Sequence, residues 1–298
     1  MSDFQRLEFQ AIMKARKLIR DIGVSSVPID LEPFATAANA RIKIVHDLND
    51  DESGQTTQIK GKHVIIVNGN HREERQWFTV LHEIAHIVLE LPSKHQGPKL
   101  RTDTLMRYGR RPQEEMLCDV FAAECLLPYD LFSKDVSDTE ISLAAVKDLA
   151  QRYKASLTTT GSRFAVNANE PCAFVLSEAG HIRYVSRSKY LNEIKGWIDF
   201  NISLPKGSVA FRLTQDSSKT EDYDELASDV WFNGGIKSRP MLAEEAILLR
   251  EWDQCLSLIW FDQSLERSDQ RSDYDDEAEP LLEELDGNLP WPSKRRRR

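Results

Sequence analysis

The run over residues 73–91 constrains this chain more than any other. Trp77, Phe78, Leu81, Ile84, Ala85 and Val88 recur at the spacing of one helical face, and the run closes on Leu91-Pro92, where proline stops a helix. A helix that is apolar on one side has to bury that side against another element. This one also carries His82-Glu83-Ile84-Ala85-His86, and a spacing of four stacks both imidazoles on one face, a turn apart. Two ring nitrogens so placed can bind one zinc ion, and Glu83 can then reach a water at the metal as general base.

A catalytic zinc keeps three protein ligands and one position for water, so a third ligand is required. Pro112 opens a second helical run that ends near Leu127-Pro128, and within it Glu115 and Asp119 stand four apart on one face. Asp119 lies among Leu117, Cys118, Val120, Phe121 and Ala122, and an acid in so apolar a setting wants a partner. Zinc peptidases of the glutamate-ligand kind place a glutamate on the metal and use an acid one turn later to accept a ligand histidine's other ring proton. We therefore expect His82, His86 and Glu115 as zinc ligands, Glu83 as general base and Asp119 as the residue that orients a histidine.

At these residues the chain resembles the ImmA/IrrE family of metallopeptidases. The resemblance rests on Trp77-Phe78-Thr79-Val80-Leu81-His82-Glu83-Ile84-Ala85-His86 and on Glu115-x-x-Cys118-Asp119-x-Phe121-Ala122-Ala123-Glu124-x-Leu126-Leu127-Pro128. A third piece is Val146-x-x-Leu149-Ala150-x-x-Tyr153-x-x-Ser156, followed by Arg163-Phe164, so that it extends over about 5–166. It implies an α+β fold: a gluzincin-like, zincin-type peptidase core of helices with a small mixed or antiparallel sheet, and a helix-turn-helix-like helical segment. It also implies an anti-repressor, a zinc-dependent endopeptidase that cleaves a helix-turn-helix transcriptional repressor and releases stress, DNA-damage or mobile-element genes. One departure is Asp119, where the family often carries asparagine, which bears on how strongly the acceptor polarises its histidine. Some relatives carry an N-terminal repressor-like domain that this sequence lacks, so the expected substrate is a separate protein. The oxyanion donor is not named by any motif; Arg163 and Tyr153, and by residue type alone His181, are the candidates.

The remaining organisation comes from periodicity. Phe4, Leu7, Ile12, Met13, Leu18, Ile19 and Ile22 predict a helix over 3–22 that stops before Gly23. Asp30 caps a second helix through Ala40, and strands follow at 42–45, 57–59 and 63–67, the last two around a tight Lys60-Gly61-Lys62 turn. The polar connection 93–112 is long enough to read as a lid or binding segment. Short helices are expected at 141–153 and 158–164, then strands at 173–176, 182–185, 209–213 and 230–232 and a mixed stretch over 241–261. These give four parts: a peptidase core over 1–135, a helical segment completing it over 136–170, a C-terminal α/β domain over 171–262, and a disordered tail over 263–298. The third part is compatible with the GAF-type sensor domain that follows the peptidase in some relatives, or with a docking module; its Trp197, Trp231, Trp252 and Trp260 are expected in the core.

Composition narrows the class. The net charge of −9 is uneven: 262–287 contributes −9, Lys294-Arg295-Arg296-Arg297-Arg298 contributes +5, and the rest is −5. A mildly acidic body argues against holding nucleic acid by phosphate neutralisation, and in 140–166 Lys147, Arg152, Lys154 and Arg163 are countered by Glu140 and Asp148. The basic tail is read as pairing with the acidic stretch before it. No apolar run approaches the ~20 residues of a membrane helix and the N-terminus has no secretory pattern, so a cytoplasmic chain is expected. The four cysteines form no Cys-x-x-Cys pair and are expected to be reduced and buried. Two rival readings are a regulator that binds DNA or a repressor without cutting, and a toxin-antitoxin or phage-defence component with another target. Nothing in the sequence sets an oligomeric state.

Overall fold

The computed structural model describes residues 3–92, 112–216, 218–233, 236 and 241–261. Helix α1 (Asp3–Asp21) buries Ala11, Ala15 and Ile19. It ends as its glycine dictates: Gly23 takes φ +73°, the Val24 N–H reaches the Ile19 carbonyl at 3.1 Å and the Gly23 N–H that of Arg20 at 3.1 Å. Asp30 caps α2 (Leu31–Ala37) by accepting from the Glu32 N–H at 3.0 Å. The expected extension to Ala40 is not made, because Asn39 turns left-handed (φ 50°) and Ala40 already opens β1 (Ala40–Val45).

β2 (Gly54–Ile59) and β3 (Lys62–Asn68) form the expected hairpin, with Lys60 and Gly61 both at positive φ as a two-residue turn between twisted strands requires. The sheet order is β1-β3-β2, with β1 parallel and β2 antiparallel to the central β3, so β2 is an edge. Helix α3 (Glu73–Val88) packs on β3 and β2, and α4 (Gln113–Leu126) lies against both α3 and α1. Then come α5 (Tyr129–Ser137), which the sequence reading did not anticipate, α6 (Leu143–Tyr153) and α7 (Leu157–Asn167). Ser142 and Ser156 cap the last two by accepting from the N–H groups of Ala145 and Thr159.

The second sheet holds β4 (Cys172–Glu178), β5 (His181–Arg187), β6 (Glu221–Ala227), β7 (Met241–Leu249) and β8 (Gln254–Trp260), with short helices α8 (Lys189–Glu193) and α9 (Val209–Gln215) between β5 and β6. Its order is β5-β4-β8-β7-β6, antiparallel throughout. Alternation along β4 divides its contacts: Phe174 and Leu176 join the core that runs back to α1, while Ala173 and Val175 face a second cluster with Val209, Ala210 and Leu213. The sheet thus shares one face with the preceding helices. Gly161 of α7 permits the approach, since a Cβ there would lie 2.3 Å from the Phe174 ring.

Two expected strands are not strands. Residues 209–213 are helical: Ser208 accepts from the Phe211 N–H at 3.1 Å, and buried Glu244 accepts from Val209 and Ala210 at 2.9 and 3.0 Å. Residues 230–232 leave a short 3-10 turn (Ser228–Val230), and the adjacent Trp231 and Phe232 are both buried, which a strand sending neighbours to opposite faces would not allow. Of the four tryptophans assigned to the core, Trp231 and Trp260 are buried; Trp197 and Trp252 are exposed beneath Arg187 and Arg72, at 3.9 and 5.5 Å. All four cysteines are buried and none is in a disulfide. The expected lid falls within 93–112 and the tail within 263–298, outside the described residues but for Pro112.

Candidate metal centre

The α3–α4 contact brings the motif residues together. Within α3 the stretch from Thr79 to His86 is buried at every position but His82, and α4 runs alongside with Met116, Leu117, Cys118, Asp119, Phe121 and Ala122 buried. His82 Nε2 lies 3.2 Å from His86 Nε2 and 3.3 Å from Glu115 Oε2; His86 Nε2 lies 3.5 Å from Glu115 Oε1. Two nitrogens and a carboxylate therefore converge on one point from two helices. Such a donor set could hold a divalent metal ion.

The other nitrogen of His82 is engaged. Its Nδ1 lies 2.8 Å from Asp119 Oδ1, and since a carboxylate only accepts, Nδ1 carries the hydrogen and Nε2 turns to the cluster. Glu83 is buried, and its Oε2 accepts from Thr56 Oγ1 of edge strand β2 at 2.7 Å. Burial works against a charge on His82, but hydrogen bonds to Asp119 and Glu115, with the charges of Asp119 and Glu83, outweigh it and push its pKa up to about 10. His86 moves the other way: burial and the nearby His82 hold it below its ordinary value, against the pull of Glu83 and Glu115. Of the two, His82 thus takes the additional proton and the charge, while His86 stays neutral.

All five motif residues, His82, Glu83, His86, Glu115 and Asp119, are gathered here. The candidate oxyanion donors have other engagements. Arg163 donates to Glu124 at 2.6 Å, and Arg16 donates to the other oxygen of the same fully buried carboxylate at 2.7 Å. Glu124 follows Glu115 by nine residues, a half-turn offset that turns it to the opposite side of α4. Tyr153 is fully buried against Phe132 and donates to Asp135 at 2.6 Å; burial and that acid both raise its pKa. His181 is exposed on β5, with Nδ1 2.9 Å from the Ala179 carbonyl.

Two residues beside the centre were not assigned to it from sequence. Thr56 is 27 residues from Glu83, and nothing in the strand pattern marks its hydroxyl. Cys118 offers a sulfur that lies, with one ring nitrogen each of His82 and His86, in a group whose members are all within 4.8 Å of one another. Its spacing of three from Glu115 was the available signal, since i and i+3 share a helical face.

Residues 36–164 match the model of a peptidase family described as IrrE N-terminal-like domain. A curated relative, the radiation response metalloprotease IrrE of Deinococcus deserti, is 29% identical over 122 residues, 38% of this chain and 40% of its own length. The chain thus spans less than half of that relative. A solved structure described as a Mycobacterium tuberculosis transcriptional regulator superposes with a TM-score of 0.57 over 87% of this chain and 82% of its own, at 13% identity, a likeness of fold alone. Among the described residues no helix is long and apolar enough to cross a membrane.

Proposed function

We propose that this chain, a member of the ImmA/IrrE family through residues 36–164, is a zinc-dependent endopeptidase that cleaves a helix-turn-helix transcriptional repressor in a stress, DNA-damage or mobile-element response. The observation that carries the reading is the convergence of His82 Nε2, His86 Nε2 and the Glu115 carboxylate at separations of 3.2, 3.3 and 3.5 Å. Tetrahedral zinc with nitrogen and oxygen ligands has ligand-to-ligand edges of about 3.3 Å, so the donor set fits it. His82, His86 and Glu115 would hold the ion, which would supply Lewis acidity toward water and toward the scissile carbonyl.

The rest belongs to the chain's own residues. Asp119 holds the His82 ring with Nε2 inward. The Glu83 carboxylate, anchored by Thr56, takes the proton of the attacking water and returns it to the leaving amine. β2 is a sheet edge, so an extended substrate segment can add beside it and pass Thr56 and Glu83. We assign 1–135 and 136–170 to the peptidase and 171–262 to a sensing or docking module, with the whole acting in the cytoplasm.

The geometry of α6 and α7 supports cutting over DNA binding. Thr160, Gly161, Ser162, Phe164 and Ala165 of α7 are buried, Ser162 contacts Tyr184 of β5 at 2.8 Å, and Glu245 of β7 accepts from the Leu143 N–H that opens α6. The basic side chains of the two helices are already paired with acids, Lys147 with Glu221, Arg152 with Asp135 and Arg163 with Glu124, which leaves little positive face for a major groove. Incubating the zinc-loaded chain with candidate helix-turn-helix repressors from the same genome, followed by intact-mass measurement, tests the reading. Discrete cleavage that is abolished in Glu83→Gln, with metal retained, is expected. A stable complex without cleavage would favour the non-cutting regulator, and an untouched repressor would point to another target.

A further inference from the structure

We infer that Cys118 supplies a thiolate as a further ligand to the metal held by His82, His86 and Glu115, so that the resting chain keeps the ion in a closed, four-ligand shell. The inference rests on the metallopeptidase reading above. Its observation is the group formed by the Cys118 sulfur and one ring nitrogen each of His82 and His86, all within 4.8 Å of one another. Glu115, Cys118 and Asp119 share the side of α4 that meets α3, so the helix that supplies the carboxylate and the histidine's acceptor also supplies the sulfur. Cys118 is fully buried and in no disulfide.

Zinc accepts imidazole, carboxylate and thiolate together, and the number of protein ligands decides what the site does. Three leave a position for water; four fill the tetrahedron. In such a site a sulfur-to-nitrogen edge is roughly 3.6 Å, so the sulfur has about an ångström at most to close. As the sulfur–metal bond forms, the thiol proton passes to solvent and no electron is transferred. While the sulfur stays, Glu83 has no activated water to deprotonate; an arriving water and substrate carbonyl would displace the sulfur, so the shell is closed in the resting chain and opens when substrate binds.

Cobalt(II) substitution of the full chain under reducing conditions tests this without any substrate. The wild type should take up about one cobalt and show the intense near-ultraviolet charge-transfer absorption of a thiolate ligand. Cys118→Ser and Cys118→Ala should keep the cobalt and its visible bands but lose that absorption. A near-ultraviolet spectrum identical in wild type and variants would overturn the inference. Should both variants fail to fold, X-ray absorption of the wild-type zinc chain decides: a sulfur scatterer near ~2.3 Å is expected, and a shell of nitrogen and oxygen alone overturns it. Metal held without sulfur removes only the thiolate, whereas no uptake of either metal removes the metallopeptidase reading as well.

Discussion

Asp119 of α4 accepts a hydrogen bond from Nδ1 of His82 at 2.8 Å across the α3–α4 contact, and this one bond decides which nitrogen of His82 faces His86 and Glu115. Both partners are largely buried, which shelters the bond from solvent. Asp119→Ala should weaken zinc retention by ~10- to 100-fold, the usual cost of losing such an acceptor, whereas Asp119→Asn, which keeps an accepting oxygen, should lose less. Competition with a fluorescent chelator measures both. Equal affinity in Asp119→Ala and the parent would remove Asp119 from the site.

The raised pKa of His82 makes metal uptake a proton exchange. Without metal, His82 holds its proton until the pH approaches about 10, and a cation needs Nε2 bare. Protons therefore compete with metal at every pH below that value, and apparent affinity should rise with pH, about tenfold per unit for one displaced proton. Calorimetric titration of zinc in buffers of different protonation heat at neutral pH should report about two protons released per ion, one from His82 and one from the Cys118 thiol, falling to about one in Cys118→Ala. Heats that do not depend on the buffer would contradict the assignment.

Glu124 separates architecture from chemistry. It ties Arg16 of α1 and Arg163 of α7 to α4 from the side away from Glu115. Glu124→Ala leaves two guanidinium groups, both substantially sheltered, without their shared acid and should lower unfolding stability by roughly 3 kcal/mol. Zinc stoichiometry should stay unchanged below the melting transition. Loss of zinc from a folded variant would show that the Arg163 network reaches the metal centre.

Glu244 does the same for the second sheet. Its carboxylate accepts from Val209, Ala210, Trp231 Nε1 and Ser257 Oγ at 2.7 to 3.1 Å, all donors. Glu244→Gln turns an amide N–H₂ toward some of those donors and should cost roughly 2–4 kcal/mol in denaturant unfolding at neutral pH. A change below about 0.5 kcal/mol, the range of an ordinary surface substitution, would mean that the carboxylate does not organise α9.

Much of this arrangement was legible from residue spacing, and the reasons for the rest are local. α3 and α4 carry their own signals: a helical apolar period in α3, prolines flanking both helices and paired polar residues four apart in each. The Thr56–Glu83 contact is invisible to such signals because it is set by how β2 meets α3. The five residues Val209-Ala210-Phe211-Arg212-Leu213 are too short for a strand and a helix to differ in period, and the choice was made by Ser208 and by Glu244, 35 residues from Val209. Strand β6 has no counterpart among the expected elements: Glu221, Asp222, Asp224 and Glu225 interrupt any apolar alternation, and they sit on a sheet edge, where charge is tolerated. Trp197 and Trp252 were assigned to the core by residue type, yet each keeps an arginine over its ring at the surface.

Metal content tests the central claim most directly. Elemental mass spectrometry of the purified chain, beside His86→Ala and Glu115→Ala and with no metal added, should find about one zinc per parent chain and next to none in either variant. A parent that holds no zinc even after zinc is supplied and the excess removed, or variants that hold as much as the parent, would contradict the account.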